Sequence, residues 1–88
     1  MFANTLYVQT LEVRVMNVIQ ITRQVLECKD RVGAVRTIAA YTDSRQLAGA
    51  EAGKVIRWKN PKYHWFMDGS SGARIEQEDL GNVTVLDA

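Results

Sequence analysis

The sequence predicts an α+β fold: a mainly antiparallel β-sheet with one short α-helix packed on one face. Three observations point there. Apolar and polar residues alternate over much of the chain, the period of half-buried strands. Short loop-forming runs (KDRVG, NP, DGSSG, DLGN) cut that alternation into segments. One alanine-rich stretch, residues 45–52, follows residues suited to cap a helix. Sequential strands joined by short loops favour antiparallel pairing, with the helix covering one face.

The first element spans the stretch from Leu11 to Val25. Its odd positions read Leu, Val, Val, Asn, Ile, Ile, Arg, Val, a strand pattern that lapses near Asn17, where a bulge or break is expected. A helical reading would place Leu11, Val15, Val18, Thr22, Val25 and Leu26 on one face. The seven β-branched residues between Val13 and Val25 favour the strand, because such side chains are stiff in helices and suit a pleated surface. KDRVG is a connection in which Gly33 is free to take positive φ. Residues 34–41 form the second strand of a long hairpin. Thr42-Asp43-Ser44 starts the helix by offering side-chain oxygens to its free N–H groups, and residues 45–52 form it, up to Gly53.

The richest stretch is residues 54–75, with four of the seven aromatics and the only proline and histidine. Ile56 and Trp58 alternate with Val55, Arg57 and Lys59. Asn60-Pro61 supplies a turn, residues 63–67 return, and 68–72 form a loop, so the stretch reads as an aromatic hairpin. Residues 74–78 and 83–86 are two further strands around the turn Asp79-Leu80-Gly81-Asn82.

Eighty-eight residues make one domain, residues 1–88. An apolar content of 47% and a charged content of 24% are ordinary for a soluble globular chain. A formal net charge of +1 argues against a strongly basic nucleic-acid coat and against an acidic DNA mimic. A single cysteine excludes an internal disulfide, and there is neither a signal-peptide pattern nor an apolar run of membrane-spanning length. A cytoplasmic protein is expected.

No catalytic signature emerges. Cys28, His64 and Asp68 are the only residues from which a Cys-His-Asp arrangement could be drawn, and they sit in no recognisable context. One Cys and one His cannot complete a zinc site, so no metal is expected. Gly69-Ser70-Ser71-Gly72 lacks the helix and lysine of a phosphate loop, and no cofactor is implied. The suggestive feature is charge. Lys54, Arg57, Lys59, Lys62 and Arg74 fall within a stretch whose only acid is Asp68, while the following tail carries Glu76, Glu78, Asp79 and Asp87 without Lys or Arg. Basic residues beside aromatics can hold single-stranded nucleic acid, and Trp, Tyr and Arg also dominate protein interfaces. The same charges can equally form a solvated face neutralised by the acidic tail.

The runs Asp43-Ser44-Arg45-Gln46-Leu47-Ala48 and Gly53-Lys54-Val55-Ile56-Arg57, then Trp65 and Asp68-Gly69, resemble the middle of some small phage-encoded anti-CRISPR proteins. The resemblance covers about residues 18–77. It implies a hairpin, a short Ser-initiated helix and antiparallel strands carrying Trp and Asp-Gly. It also implies an inhibitor that binds a CRISPR effector complex, often at a positively charged or nucleic-acid-binding surface. The residues before it and the strand at 83–86 depart from the pattern, and it assigns no binding residues.

The expected function is therefore non-catalytic: occupation of the surface of a protein or ribonucleoprotein partner, in its most specific form as an anti-CRISPR-like mobile-element inhibitor. Arg57, Lys59, Lys62, Tyr63, Trp65 and Arg74 are the expected partner-binding residues. The alternative is a single-stranded nucleic-acid-binding module built on the hairpin 54–75. Homo-oligomerisation through an exposed strand edge is compatible with either.

Overall fold

The computed structural model describes residues 10–65 and 71–87. Seven strands join one sheet: β1 (Thr10–Gln20), β2 (Gln24–Asp30), β3 (Val35–Tyr41), β4 (Val55–Lys59), β5 (Tyr63–Trp65), β6 (Ser71–Glu76) and β7 (Val83–Leu86). Their spatial order is β5-β6-β3-β2-β1-β4-β7. All neighbours are antiparallel except β3 and β6, which run parallel, so the sheet is mixed.

That order forces the sheet to curl. Strands β4 and β5 follow one another in the chain but lie five strand spacings apart in the sheet, about 24 Å if it were flat. The link between them is only Asn60, Pro61 and Lys62, and the four chain steps from Lys59 to Tyr63 reach at most about 14 Å. The two flanks must therefore approach each other, making an open half-barrel. Leu11 of β1 accordingly lines one cleft together with Tyr63 of β5 and Ala73 of β6.

The concave side holds the core. Alternation sends Val13 and Val15, Leu26 and Cys28, Ile38, Ile56 and Trp58, and Ala73 and Ile75 inward, and all are buried. Trp58 is the largest fully buried side chain, facing Leu11 and Val83 across the ladders. Its indole N–H is buried without an acceptor among the described residues. Burying so large a ring outweighs the cost of one unmade hydrogen bond.

Four expectations are corrected. The strand expected over residues 11–25 is two strands, β1 and the start of β2, folded back at Ile21, Thr22 and Arg23. This turn has no Gly, Pro or Asn to announce it, and it leaves Ile21 83% exposed. The irregularity expected near Asn17 is present, as a shift of register between Val15 and Asn17. The residues 54–75 do not form one hairpin: β4 pairs with β1 and β7, and β5 pairs with β6. Ser71 and Gly72, expected in a loop, belong to β6, while residues 66–70 of the expected return strand and loop lie outside the described residues.

The fourth correction removes the helix and with it the α+β class. Residues 42–54 form an irregular loop, and the only helical segment described is a 3-10 turn at Gln77–Asn82. Arg45, Gly49 and Gly53 have φ of 60°, 78° and 93°, which a right-handed helix excludes. Thr42, expected to cap a helix, instead closes a turn: its hydroxyl donates to the Gln46 carbonyl (2.8 Å) and accepts from the Gln46 N–H (3.2 Å). The loop is pinned to the barrel by buried Gln24. Its Oε1 accepts from the Leu47 N–H (2.8 Å), its Nε2 donates to the Ala50 carbonyl (3.5 Å), and its backbone N–H donates to the Arg45 carbonyl (2.9 Å). Leu47 and Ala50 are thereby placed in the core.

Two stability predictions result. Trp58→Ala should cost about 3–5 kcal/mol in urea unfolding, enough to leave a small domain mostly unfolded. Gln24→Ala strands the buried Leu47 N–H and should cost about 1–3 kcal/mol, with hydrogen exchange accelerating first at Leu47.

Candidate binding surfaces

The expected partner-binding residues are spread over β4, β5, β6 and the link between β4 and β5. Arg57 and Lys59 project from the convex side of β4, opposite to Ile56 and Trp58, as strand alternation requires. Arg57 donates to Glu12 across the ladder (3.0 Å), and Glu12 also accepts from Arg31 (3.2 Å). These two guanidiniums, Arg57 first, hold the Glu12 carboxyl below its usual range. Lys59 is exposed beside Thr10. Arg74 stands on the other flank, on β6, and its Nη2 donates to Glu76 (3.1 Å). Trp65 pairs with Ser71 at the end of β5, and its side chain lies outside the described residues.

Lys62 stands in a cluster of carboxylates. Its ammonium lies 3.1 Å from Asp79, 3.6 Å from Glu78 and 3.9 Å from Glu76, and its carbonyl accepts from the Arg74 N–H (3.2 Å). The hydrogen bond to Asp79 raises the Lys62 pKa. The three carboxylates come within 4.8 Å of one another, a spacing that could hold a cation, but Lys62 already supplies the positive charge there. Asp79 is buried and its other oxygen accepts from the Glu76 N–H (2.8 Å).

Cys28 lies in the core, and burial pushes its thiol up to about 12, with Glu27 adding to the shift. A neutral, enclosed thiol is a poor nucleophile. The side chains of His64 and Asp68 lie outside the described residues.

Two groupings that sequence reasoning missed stand out. At the end of the half-barrel where β1 begins, Val32 (88% exposed), Val35 (70%) and Tyr63 (54%) surround half-buried Leu11. Leu11 shares one cleft with Val35, Arg36 and Tyr63, and a second with Arg31 and Val32. On the convex face, Arg14 of β1 stands directly opposite Lys29 of β2, both exposed. Like charges in that position repel, and among the described residues no ion pair engages either one. Neither grouping is legible while residues 11–25 are read as one strand, because the β1–β2 pairing creates the second and the curl creates the first.

Comparison with known protein families, with curated proteins and with solved structures gave no match. Among the described residues no helix is long and apolar enough to cross a membrane.

Two predictions test the ion pairs. Asp30 accepts from the Ala34 N–H (2.8 Å), the Val32 N–H (3.1 Å) and Arg36 Nε (3.1 Å), and these bonds, Ala34 first, lower its pKa. Glu12 is lowered as well. A carboxyl lowered in the folded state stabilises the fold above the ordinary carboxylate pKa of about 4, and that stability is lost as pH falls through the folded value. Stability should therefore drop steeply below about pH 4, and Asp30→Asn should flatten this acid limb in urea titrations at successive pH values. Lys62→Met should lower Tm more than Lys59→Met, because only the former leaves buried Asp79 without its cation. Equal melting temperatures would return Lys62 to the role of a surface charge.

Proposed function

We propose that this protein is a non-catalytic binding protein that occupies the surface of a protein or ribonucleoprotein partner. The observation that carries the reading is the apolar end of the half-barrel, where Leu11, Val32, Val35 and Tyr63 meet solvent together. Isolated apolar side chains on a surface need no explanation, but a grouped set of aliphatics with a tyrosine, rimmed by arginines, has the composition of an interface centre. Arg31 and Arg36 form that rim, held in place by Glu12 and Asp30. The basic residues once grouped with the aromatics support it less directly, since Arg57, Lys62 and Arg74 already face carboxylates. The resemblance to anti-CRISPR proteins gives the reading its most specific form, an inhibitor that masks a working surface of a ribonucleoprotein.

A second reading, binding of single-stranded nucleic acid, is favoured by the Arg14–Lys29 opposition on the convex face. Two unpaired cations set against each other are relieved by a phosphate, which gives both a partner.

The experiment is affinity capture from the source cell with the wild-type chain, Val35→Glu and Arg14→Glu, beside a thermal melt of each. Both side chains are exposed, so both variants should melt within about 2–3 °C of wild type. Loss of a captured partner with Val35→Glu alone supports the protein interface. Loss with Arg14→Glu alone, together with steeply salt-dependent binding of single-stranded oligonucleotide, supports the second reading. Retention of every partner by both variants refutes both placements.

A further inference from the structure

We propose that Arg23, Tyr41 and Arg74 form a binding site for a phosphodiester group on the convex face, at the end of the half-barrel remote from the apolar cluster. The site is assembled from three separate elements. Tyr41 ends β3 and points outward, 37% exposed. Arg23 comes from the turn joining β1 to β2, and Arg74 from β6. Strands β2 and β6 are the two neighbours of β3, so the guanidiniums approach the ring from its two flanks. Their central carbons lie 3.8 Å and 4.6 Å from the ring centroid.

Cation–π attraction holds both arginines against the tyrosine ring and fixes them there without using their N–H donors. Protein acceptors account for little more. Arg23 Nη1 donates to the Ala40 carbonyl at 3.3 Å, and Arg74 Nη2 donates to Glu76 at 3.1 Å. Arg74 Nε is buried and has no acceptor among the described residues. Each guanidinium carries five N–H donors in a rigid fork, so most of those at the surface remain available. The pair is thus oriented by the ring and left short of acceptors, which is what a preorganised anion site requires.

Charge selects the ligand. Glu76 is the carboxylate that pairs with Arg74, and among the described residues no carboxylate pairs with Arg23. The two guanidiniums against that one paired carboxylate leave a single positive charge. A phosphodiester carries one negative charge and two non-bridging oxygens, which a guanidinium fork can engage together. The Tyr41 rim offers an apolar edge to the ester substituents. The inference does not depend on either reading of the apolar end or of Arg14 and Lys29, none of which belongs to this cluster.

The test is a backbone-amide NMR titration of the full chain with dimethyl phosphate at constant ionic strength, chloride being the exchanged anion. The wild type should show saturable shifts centred on Arg23, Tyr41 and Arg74. Arg23→Gln should weaken this binding at least about tenfold, the loss of one charge-assisted contact, and Arg74→Gln should do the same. A parallel titration with a short single-stranded oligothymidylate separates the sources: tighter binding than dimethyl phosphate assigns a nucleic-acid strand, and equal binding assigns an isolated diester. No saturable shift in the wild type, or unchanged affinity in Arg23→Gln, overturns the proposal. Variants that lower Tm while the wild type shows no anion effect would make the cluster a structural staple only.

Discussion

The closure of the half-barrel depends on two short connections that cross between its flanks, and one ion pair joins them. The first is Asn60-Pro61-Lys62, between β4 and β5; the second is the 3-10 turn Gln77–Asn82, between β6 and β7. Each carries the chain from one side of the sheet to the other. Asp79 in the second takes the Lys62 ammonium of the first at 3.1 Å, and the Lys62 carbonyl takes the Arg74 N–H of β6. A curled sheet with free edges can flatten and expose its concave side. Fixing the two crossings to each other removes that motion. The core follows from this closure, since Leu11 and Trp58 on one flank share an interior with Ala73 and Ile75 on the other only while the sheet is curled.

Pro61 and Asn60 fit this account. Proline pre-sets φ within the link and gives up an N–H that no ladder needs there. Asn60 adopts φ of 55°, a left-handed conformation tolerated by asparagine more readily than by most residues. The same two residues are the standard marks of a tight hairpin turn, and that is why the sequence suggests one. Local chemistry shows that the chain bends between Lys59 and Tyr63. It does not show whether the chain returns beside the strand it left, because that depends on which edges are already occupied. Here β1 and β7 flank β4, so β5 must pair elsewhere.

Alternation was the legible part of the fold. It gave strand character to β1, β3, β4 and β7, located the bulge near Asn17, and set Trp58 inward with Arg57 outward. What it could not carry was any feature decided between distant residues. The alanine-rich run 45–52 has the composition of a helix, yet Gln24, in another strand, captures the Leu47 N–H and the Ala50 carbonyl and leaves a pinned loop. The turn at Ile21–Arg23 is equally silent, since β-branched residues at a reversal look like more strand. The candidate sites suffered from the same limit. Positive charge in sequence proved a poor guide to available charge, because Arg57 and Lys62 are matched by acids from other segments and Arg74 by Glu76 of its own strand.

Placement of the core also restricts where a partner can act. The concave side is filled by side chains from five strands and covered by Leu47 and Ala50. What remains is the convex face, the open end and the outer edges of β5 and β7. The convex face carries cations whose carboxylate partners are unevenly distributed: Glu12 serves two arginines, while Arg14 and Lys29 face each other without one. The open end carries aliphatics that the fold could have made polar at no cost to its core, since Val32 and Val35 contribute almost nothing to the interior. Residues kept apolar or kept like-charged where stability gains nothing from it are better explained by what they meet than by what they hold together. On the proposed reading binding would be divided spatially, with apolar contact at the open end and anionic contact across the convex strands, and the closed core between them would hold the two surfaces in fixed relation.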